Sequence, residues 1–553
     1  MFATIARFEL RYQFRNPVFW AAAIMFFLLT FAGTTVESIR LGSGGSIHTN
    51  APTAVAQVQL MMSLFFMFVT TAFVGNVVVR DDETGFGSII RSTKVGKIPY
   101  MCGRFSGAFL GAAIAFLAVP LALWVGTFMP WVSAEHLGPN RLQDYAFGYF
   151  VIALPNILMT SAIFFAVASW TRSVTYSYLA VIVFMFAYFT LTAMLRKLPD
   201  LTLAAYFEPF GSVAYGLSVR YLTPIQANTQ SLELTGLLAG HRLLWLAISV
   251  AIVAFAVWRF RFADRGSSKG SAKRDAARQQ KLAAVKPALV DRLPAGTPER
   301  GAGHQLATRT LLEMKLVFKS PAFWVLAVVG SINLYLTLNL AGLYYGVPIW
   351  PRTFAIADTV SAASTLITLL MAIYFSGEVV WRERERRFNE IIDATPLPNW
   401  IFLVSKLAGV AGVLLVLSVA VVLFESILYQ LMGGVTDIEF GHWLAWFAAP
   451  TAFYVIQIAA LSIVVQAVSP NKFVGWGIML IYLVSTIVFA GLGWEHPLLN
   501  YAAVAQPLSD MNGSNYGETV AWWLRFFWLA VAVVLVVVGH LMWRRGTAVT
   551  LKG

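Results

Sequence analysis

Phe8-Glu-Leu-Arg-Tyr-Gln-Phe-Arg-Asn-Pro-Val-Phe-Trp20 is answered far along the chain by Leu312-Glu-Met-Lys-Leu-Val-Phe-Lys-Ser-Pro-Ala-Phe-Trp324. Acid, base, aromatic and proline stand in matching places, as in Glu9 and Glu313, Arg15 and Lys319, and Pro17 and Pro321. The echo resumes after the next apolar stretch. Arg80, Glu83, Phe86, Ile89, Ile90, Thr93, Arg104 and Gly107 recur at one fixed offset as Arg382, Glu385, Phe388, Ile391, Ile392, Thr395, Lys406 and Gly409. The chain reads as a tandem duplication of one unit. In a membrane protein, internal repeats point to two bundles that move against each other around a shared pathway.

Composition sets the class. With 58% hydrophobic and 12% charged residues, the chain lies far from the soluble average and within the membrane class. Apolar runs near the ~20 residues that cross a bilayer recur through both halves. In the first half they lie near 17–36, 57–79, 105–130, 147–169, 174–194 and 243–260; in the second, near 321–345, 356–381, 401–432, 443–468, 473–492 and 526–543. The expected fold is an all-α polytopic membrane protein, with twelve transmembrane helices in two parallel-related six-helix repeats. The expected domains are 1–262, a basic linker at 263–304, and 305–553. The first apolar run follows Arg7, Arg11 and Arg15 without a small-residue cleavage site, so it reads as a retained helix.

The net charge of +13 concentrates in alternate loops. The N-terminus, Arg80 to Arg104, Arg172, the linker, Arg382 to Arg387, Lys472 and Arg544 to Arg545 are basic and read as cytoplasmic, which places both termini inside. The opposite loops carry isolated bases and acids such as Glu135, Asp437 and Glu439, while Arg196, Lys197 and Arg220 run against the pattern. Spread along one membrane side without a nucleic-acid motif, these bases do not imply nucleic-acid binding. The single cysteine, Cys102, falls in a predicted cytoplasmic loop and excludes an intrachain disulfide or thiolate metal cluster. The polar linker reads as a tether on anionic headgroups, with a dedicated regulatory site as the alternative.

Two repeated segments carry the functional reading. Around Ile5 to Phe14, Ile5, Phe8 and Tyr12 share a helical face, and Arg7, Arg11 and Arg15 recur every four residues on another. This predicts an interfacial elbow helix ended by Pro17, with Lys315 and Lys319 in the second elbow. Beyond the second span, Glu83, Phe86 and Ile90, and Glu385, Phe388 and Ile392, are expected on one face of a short helix suited to docking in a groove. Between the fifth and sixth spans, 198–242 and 493–525 are too apolar for solvated loops. Either paired short helices dipping into the outer leaflet or an interfacial cap with Trp522, Trp523 and Trp528 as anchors would fit.

Arg382-Glu-Arg-Glu-Arg-Arg-Phe388-Asn-Glu-Ile391-Ile392-Asp-Ala-Thr395-Pro396, followed by Lys406-Leu-Ala-Gly409, resembles the cytoplasmic loop of ABC-2-type transporter permeases. The first-half version is less close, with Lys94 after Thr93 and Asp81-Asp82 in place of Glu383-Arg384. The elbow, the six-span unit and the broken outer segment resemble that family too, over nearly all of both halves. The resemblance implies a permease, an exporter, in a bacterial cytoplasmic (inner) membrane. It also implies coupling helices at Arg80, Glu83, Phe86, Ile89 and Ile90, and at Arg382, Glu385, Phe388, Ile391 and Ile392, that dock two copies of a cytoplasmic ABC ATPase carrying Mg-ATP. The arrangement is similar to the membrane part of permease/M1-peptidase fusion proteins, so a separate peptidase is a possible partner.

The chain has neither a phosphate-binding Gly-x-x-x-x-Gly-Lys-Ser/Thr loop nor a His-Glu-x-x-His motif. It is expected to be no enzyme and to hold no cofactor or metal of its own. Rival readings are a secondary transporter, which needs polar groups at membrane depth such as Glu425 in the ninth span and Asn156 in the fourth, or a membrane scaffold for a peptidase. A membrane enzyme would need clustered catalytic groups, and the seven His residues are scattered.

Overall fold

The computed structural model describes residues 1–36, 42, 46–84, 86–195, 200–260, 301–341, 343–344, 347–348, 350–386, 388–393, 395, 397–491, 496–504, 506, 508 and 517–543. The chain divides into two compact units, Met1–Gly296 and Thr297–Gly553. Most of the expected linker lies outside the described residues; its last residues begin the helix Ala302–Phe318. Among the described residues both units are helical, apart from one antiparallel pairing of Leu343–Tyr344 with Val347–Pro348.

This is a multi-pass membrane protein. Among the described residues, ten helices are long and apolar enough to cross a bilayer, and Pro52–Phe65 with Met67–Asp81 makes an eleventh if that pair, bent by 45°, is one span. Counting that pair, eleven of the twelve expected spans are represented. The shortfall falls at 473–492, where the helix Lys472–Gly491 contributes only the shorter apolar stretch Lys472–Leu483. Several spans exceed their expected edges. The third begins at Lys97, which moves Cys102 and Arg104 from a loop into a helix.

Local chemistry explains the breaks. Each elbow ends where a polar side chain and a proline meet. Asn16 Oδ1 accepts from the Val18 N–H at 3.0 Å, and Pro17, which lacks an N–H, opens Pro17–Thr35. Ser320 Oγ accepts from the Phe323 N–H at 3.3 Å before the helix beginning at Pro321. Both corners are tied by a tryptophan, whose indole N–H donates to the Phe14 carbonyl from Trp20 and to the Phe318 carbonyl from Trp324. In the bent pair, Ser63 and Thr70 hydroxyls donate to the Leu60 and Met67 carbonyls on either side of the break, competing with the helical ladder. The π-helical turns Gly148–Ala153 and Leu444–Ala448 precede Pro155 and Pro450, which have no N–H to continue the α-helical ladder.

The cores are apolar and aromatic. Phe19, Phe26, Phe66, Phe73 and Phe116 pack together in the first unit, and Leu334, Val360, Trp443 and Phe447 in the second. These side chains fix the spans around the polar groups described next.

Candidate functional site

Each elbow helix buries a carboxylate against the ends of two spans. In Phe2–Arg15, the packed positions are Glu9 and Gln13 rather than the apolar Phe8 and Tyr12, which remain exposed. Phe8 and Tyr12 thus face outward, while Glu9 and Gln13, with the half-buried Ile5 and Leu10, face the bundle. Glu9 Oε2 lies 2.8 Å from Arg80 Nη2 at the end of Met67–Glu83, and 2.5 Å from Arg104 Nη1 in Lys97–Phe116. Arg104 uses its other nitrogen, Nη2, on Asp81 at 2.5 Å, and Asp81 also accepts from the Tyr100 hydroxyl at 2.6 Å. One planar guanidinium therefore bridges two carboxylates, a task for which Arg is suited. Arg80 additionally stacks over the Tyr12 ring at 3.8 Å.

The second unit builds the same connection with different chemistry. Glu313, buried in Ala302–Phe318, meets Arg382 and Lys406, both at 3.1 Å. Lys406 is fully buried; its ammonium also contacts Glu383 at 3.1 Å and donates to the Val379 carbonyl at 2.8 Å. Arg309 completes the cluster through Glu383 at 2.8 Å and lies over the Phe402 ring.

Close approach depends on two glycines. A Cβ on Gly107 would stand 2.6 Å from the Ala6 carbonyl oxygen and from Glu9 Cβ; one on Gly409 would stand 2.8 Å from Glu313 Cβ. Without a Cβ, each third-span helix lets the elbow come near enough to bury its carboxylate. Buried ion pairs add little net stability over an apolar core, but loss of one partner strands a charge. The clusters therefore fix one register of elbow on bundle.

The proposed docking residues separate into two kinds. Arg80 and Arg382 point into the clusters, and Glu385 pairs with Lys472 at 2.7 Å. The Glu83 side chain lies outside the described residues. The expected common helical face does not form. The second span ends at Glu83, and Thr84 donates to the Arg80 carbonyl at 2.9 Å before Phe86–Ser92 begins. In the second unit Thr353–Glu385 ends, the Phe388 N–H closes a wide turn on the Glu383 carbonyl at 2.9 Å, and Asn389–Asp393 follows. This break leaves Phe86 and Ile89 51% and 56% exposed, and Phe388 and Ile391 51% and 63% exposed, while Ile90 and Ile392 are half-buried. Arg7, Arg11, Arg15, Lys315 and Lys319 are exposed along the elbows.

Asn156 is buried and structural in its bonding. It donates to Ser63 Oγ at 2.9 Å and accepts from Arg242 Nη1 at 2.8 Å. Nearby, Glu208 caps the short helix Ser212–Val219 by accepting from the Phe210, Ser212 and Val213 N–H groups, and the His241 ring bonds its carbonyl. The first outer segment folds as Leu201–Phe207, Ser212–Val219 and Pro224–Thr229; part of the second lies outside the described residues. Glu425 stands apart from these groups, bonded to Ser331 and facing an open groove of about 370 Å³ lined by Leu334, Tyr335 and Leu428. Among the described residues, no group of three or more His, Cys, Asp or Glu side chains is placed to hold a metal.

Sequence reasoning placed Arg80, Arg382, Arg104 and Lys406 in the echo but missed Glu9 and Glu313 as their partners. The signal was present: one acid at the same place in two otherwise basic helices. No protein-family profile and no curated protein matches this chain.

Proposed function

We propose that this chain is the duplicated transmembrane permease of an ATP-driven ABC-2-type exporter, with twelve spans in two six-span repeats and both termini cytoplasmic. A separate ATPase, present in two copies and binding Mg-ATP, docks once beneath each unit. The observation that carries this reading is the conjunction found in both units: an exposed Phe and Ile pair sits beside a buried carboxylate-centred cluster that joins elbow, second span and third span. A push on Phe86 and Ile89, or on Phe388 and Ile391, is delivered within a few residues to Arg80 or Arg382. From there it reaches the elbow through Glu9 or Glu313. Coupling then requires that ATP-bound partners favour one arrangement of the spans through differential contacts.

The reading is tested by reconstituting the full chain in lipid with each ABC ATPase encoded beside it and measuring complex formation and ATP turnover. Wild-type chain is expected to form a stable complex and stimulate turnover. Replacing Phe86, Ile89, Phe388 and Ile391 together by Ala is expected to abolish stimulation while the chain stays folded. No association with any such ATPase would reject the permease assignment and make Glu425, with Ser331 and its groove, the first residue to examine for secondary transport.

A further inference from the structure

An open groove of about 810 Å³ runs along the first unit between the start of the third-span helix and the end of Gly236–Arg259. Its volume falls within the ~300–1,000 Å³ of small-molecule sites. Phe105, Leu158 and Val253 give it apolar walls, and none of its lining residues is acidic. At its rim Lys97 donates from Nζ to the Trp258 carbonyl at 2.8 Å, which anchors the cation against the last turn of the neighbouring helix. An ammonium has three donors, so this bond leaves Lys97 able to bind an anion. Trp258 is 74% exposed beside it, and Lys94 and Arg259 are exposed close by in sequence, a grouping typical of the boundary between acyl chains and headgroups.

We propose that this groove binds one anionic glycerophospholipid, with an acyl chain along Phe105, Leu158 and Val253 and the phosphate on Lys97. Charge complementarity selects this occupant, since apolar walls alone would accept any acyl chain and a cationic rim without carboxylates favours a negative headgroup. The second unit supplies an internal control. The offset that carries Arg104 to Lys406 carries Lys97 to Asn399, and the offset that carries Arg242 to Arg525 carries Trp258 to Leu541. The site therefore belongs to the first unit, with one lipid per chain. It does not depend on an ATPase partner.

Cys102 lines the groove and is the single cysteine of the chain, so it reports occupancy without background. The full chain would be placed in nanodiscs of phosphatidylcholine alone or with phosphatidylglycerol, and maleimide labelling of Cys102 timed. Lipid retained after extraction would be counted by native mass spectrometry. Phosphatidylglycerol is expected to slow labelling about fivefold, roughly the worth of one Lys beside an anionic headgroup, and one molecule is expected to be retained. Lys97→Asn should remove both effects, Lys97→Arg should keep them, and Lys94→Asn should leave retention unchanged. Equal labelling in the two lipids, or equal retention by wild type and Lys97→Asn, would overturn the site. Protection already complete in phosphatidylcholine would mean that another part of the chain fills the groove, and would overturn it as well.

Discussion

The two elbow clusters solve one problem with different cations. Arg104 reaches Glu9 and Asp81 through separate nitrogens of one plane, whereas Lys406 gathers Glu313, Glu383 and a backbone carbonyl around a single nitrogen. The fork imposes direction on its partners; the ammonium imposes only distance. The second unit recruits Arg309 to hold Glu383 from another side, a position the first unit fills instead with the Tyr100 hydroxyl on Asp81. Equivalent connectivity therefore rests on an oriented pair in one unit and on a crowd of charges in the other.

Removing the central carboxylates should break the comparison most severely. Glu9→Ala and Glu313→Ala each strand buried cations and should cost about 3–5 kcal/mol, read from unfolding in mixed micelles; wild-type stability in either variant would show that the cluster does not hold its elbow. Exchanging the cations sharpens the contrast. Arg104→Lys should lose about 1.5–3 kcal/mol with one charge-assisted contact, and Lys406→Arg about 1–3 kcal/mol by overfilling a closed space. If both exchanges are silent, fork and point charge are interchangeable here.

The glycines separate the units next. Gly107→Ala drives a methyl at a backbone carbonyl, whereas Gly409→Ala meets mainly the Glu313 side chain, which can shift. Both should destabilise within the ~1–3 kcal/mol of overpacking, with Gly107→Ala the worse in the same unfolding assay, and the reverse order would contradict the packing described. The smallest effect belongs to Phe86→Ala and Phe388→Ala. Being half exposed, they should move stability by no more than about 0.5 kcal/mol, so that a loss of ATPase stimulation in these variants reports docking rather than folding.

Much of this was legible from periodicity. The proline elbows, most of the spans and the paired Phe and Ile positions could be read because hydrophobic length and proline chemistry act locally. The clusters could not, since Glu9 meets Arg104 only through packing of separated helices, and side chains on an amphipathic helix suggest which face is apolar without saying which face meets protein. In water the apolar face would turn inward; beside a bilayer Phe8 and Tyr12 can face outward and leave the inner face to Glu9 and Gln13. The short helix expected to carry Glu83, Phe86 and Ile90 on one face is divided instead, since the second span ends at Glu83 and a new helix begins at Phe86. Asn156 was noticed as a polar residue at depth, yet its partner Arg242 lies on a helix that no local pattern connects to it.

The ionic cluster also sets an order of events during synthesis. Glu9 precedes Arg80 by 71 residues and Arg104 by 95, and Glu313 precedes Arg382 by 69 and Lys406 by 93. At roughly 5–20 residues per second, each elbow emerges several seconds before the bases that will enclose its carboxylate. During that interval Glu9 must stay in contact with water, so the elbow waits at the surface until the third span has been inserted. Each half thus carries its own checkpoint for assembly, satisfied only when three helices have arrived.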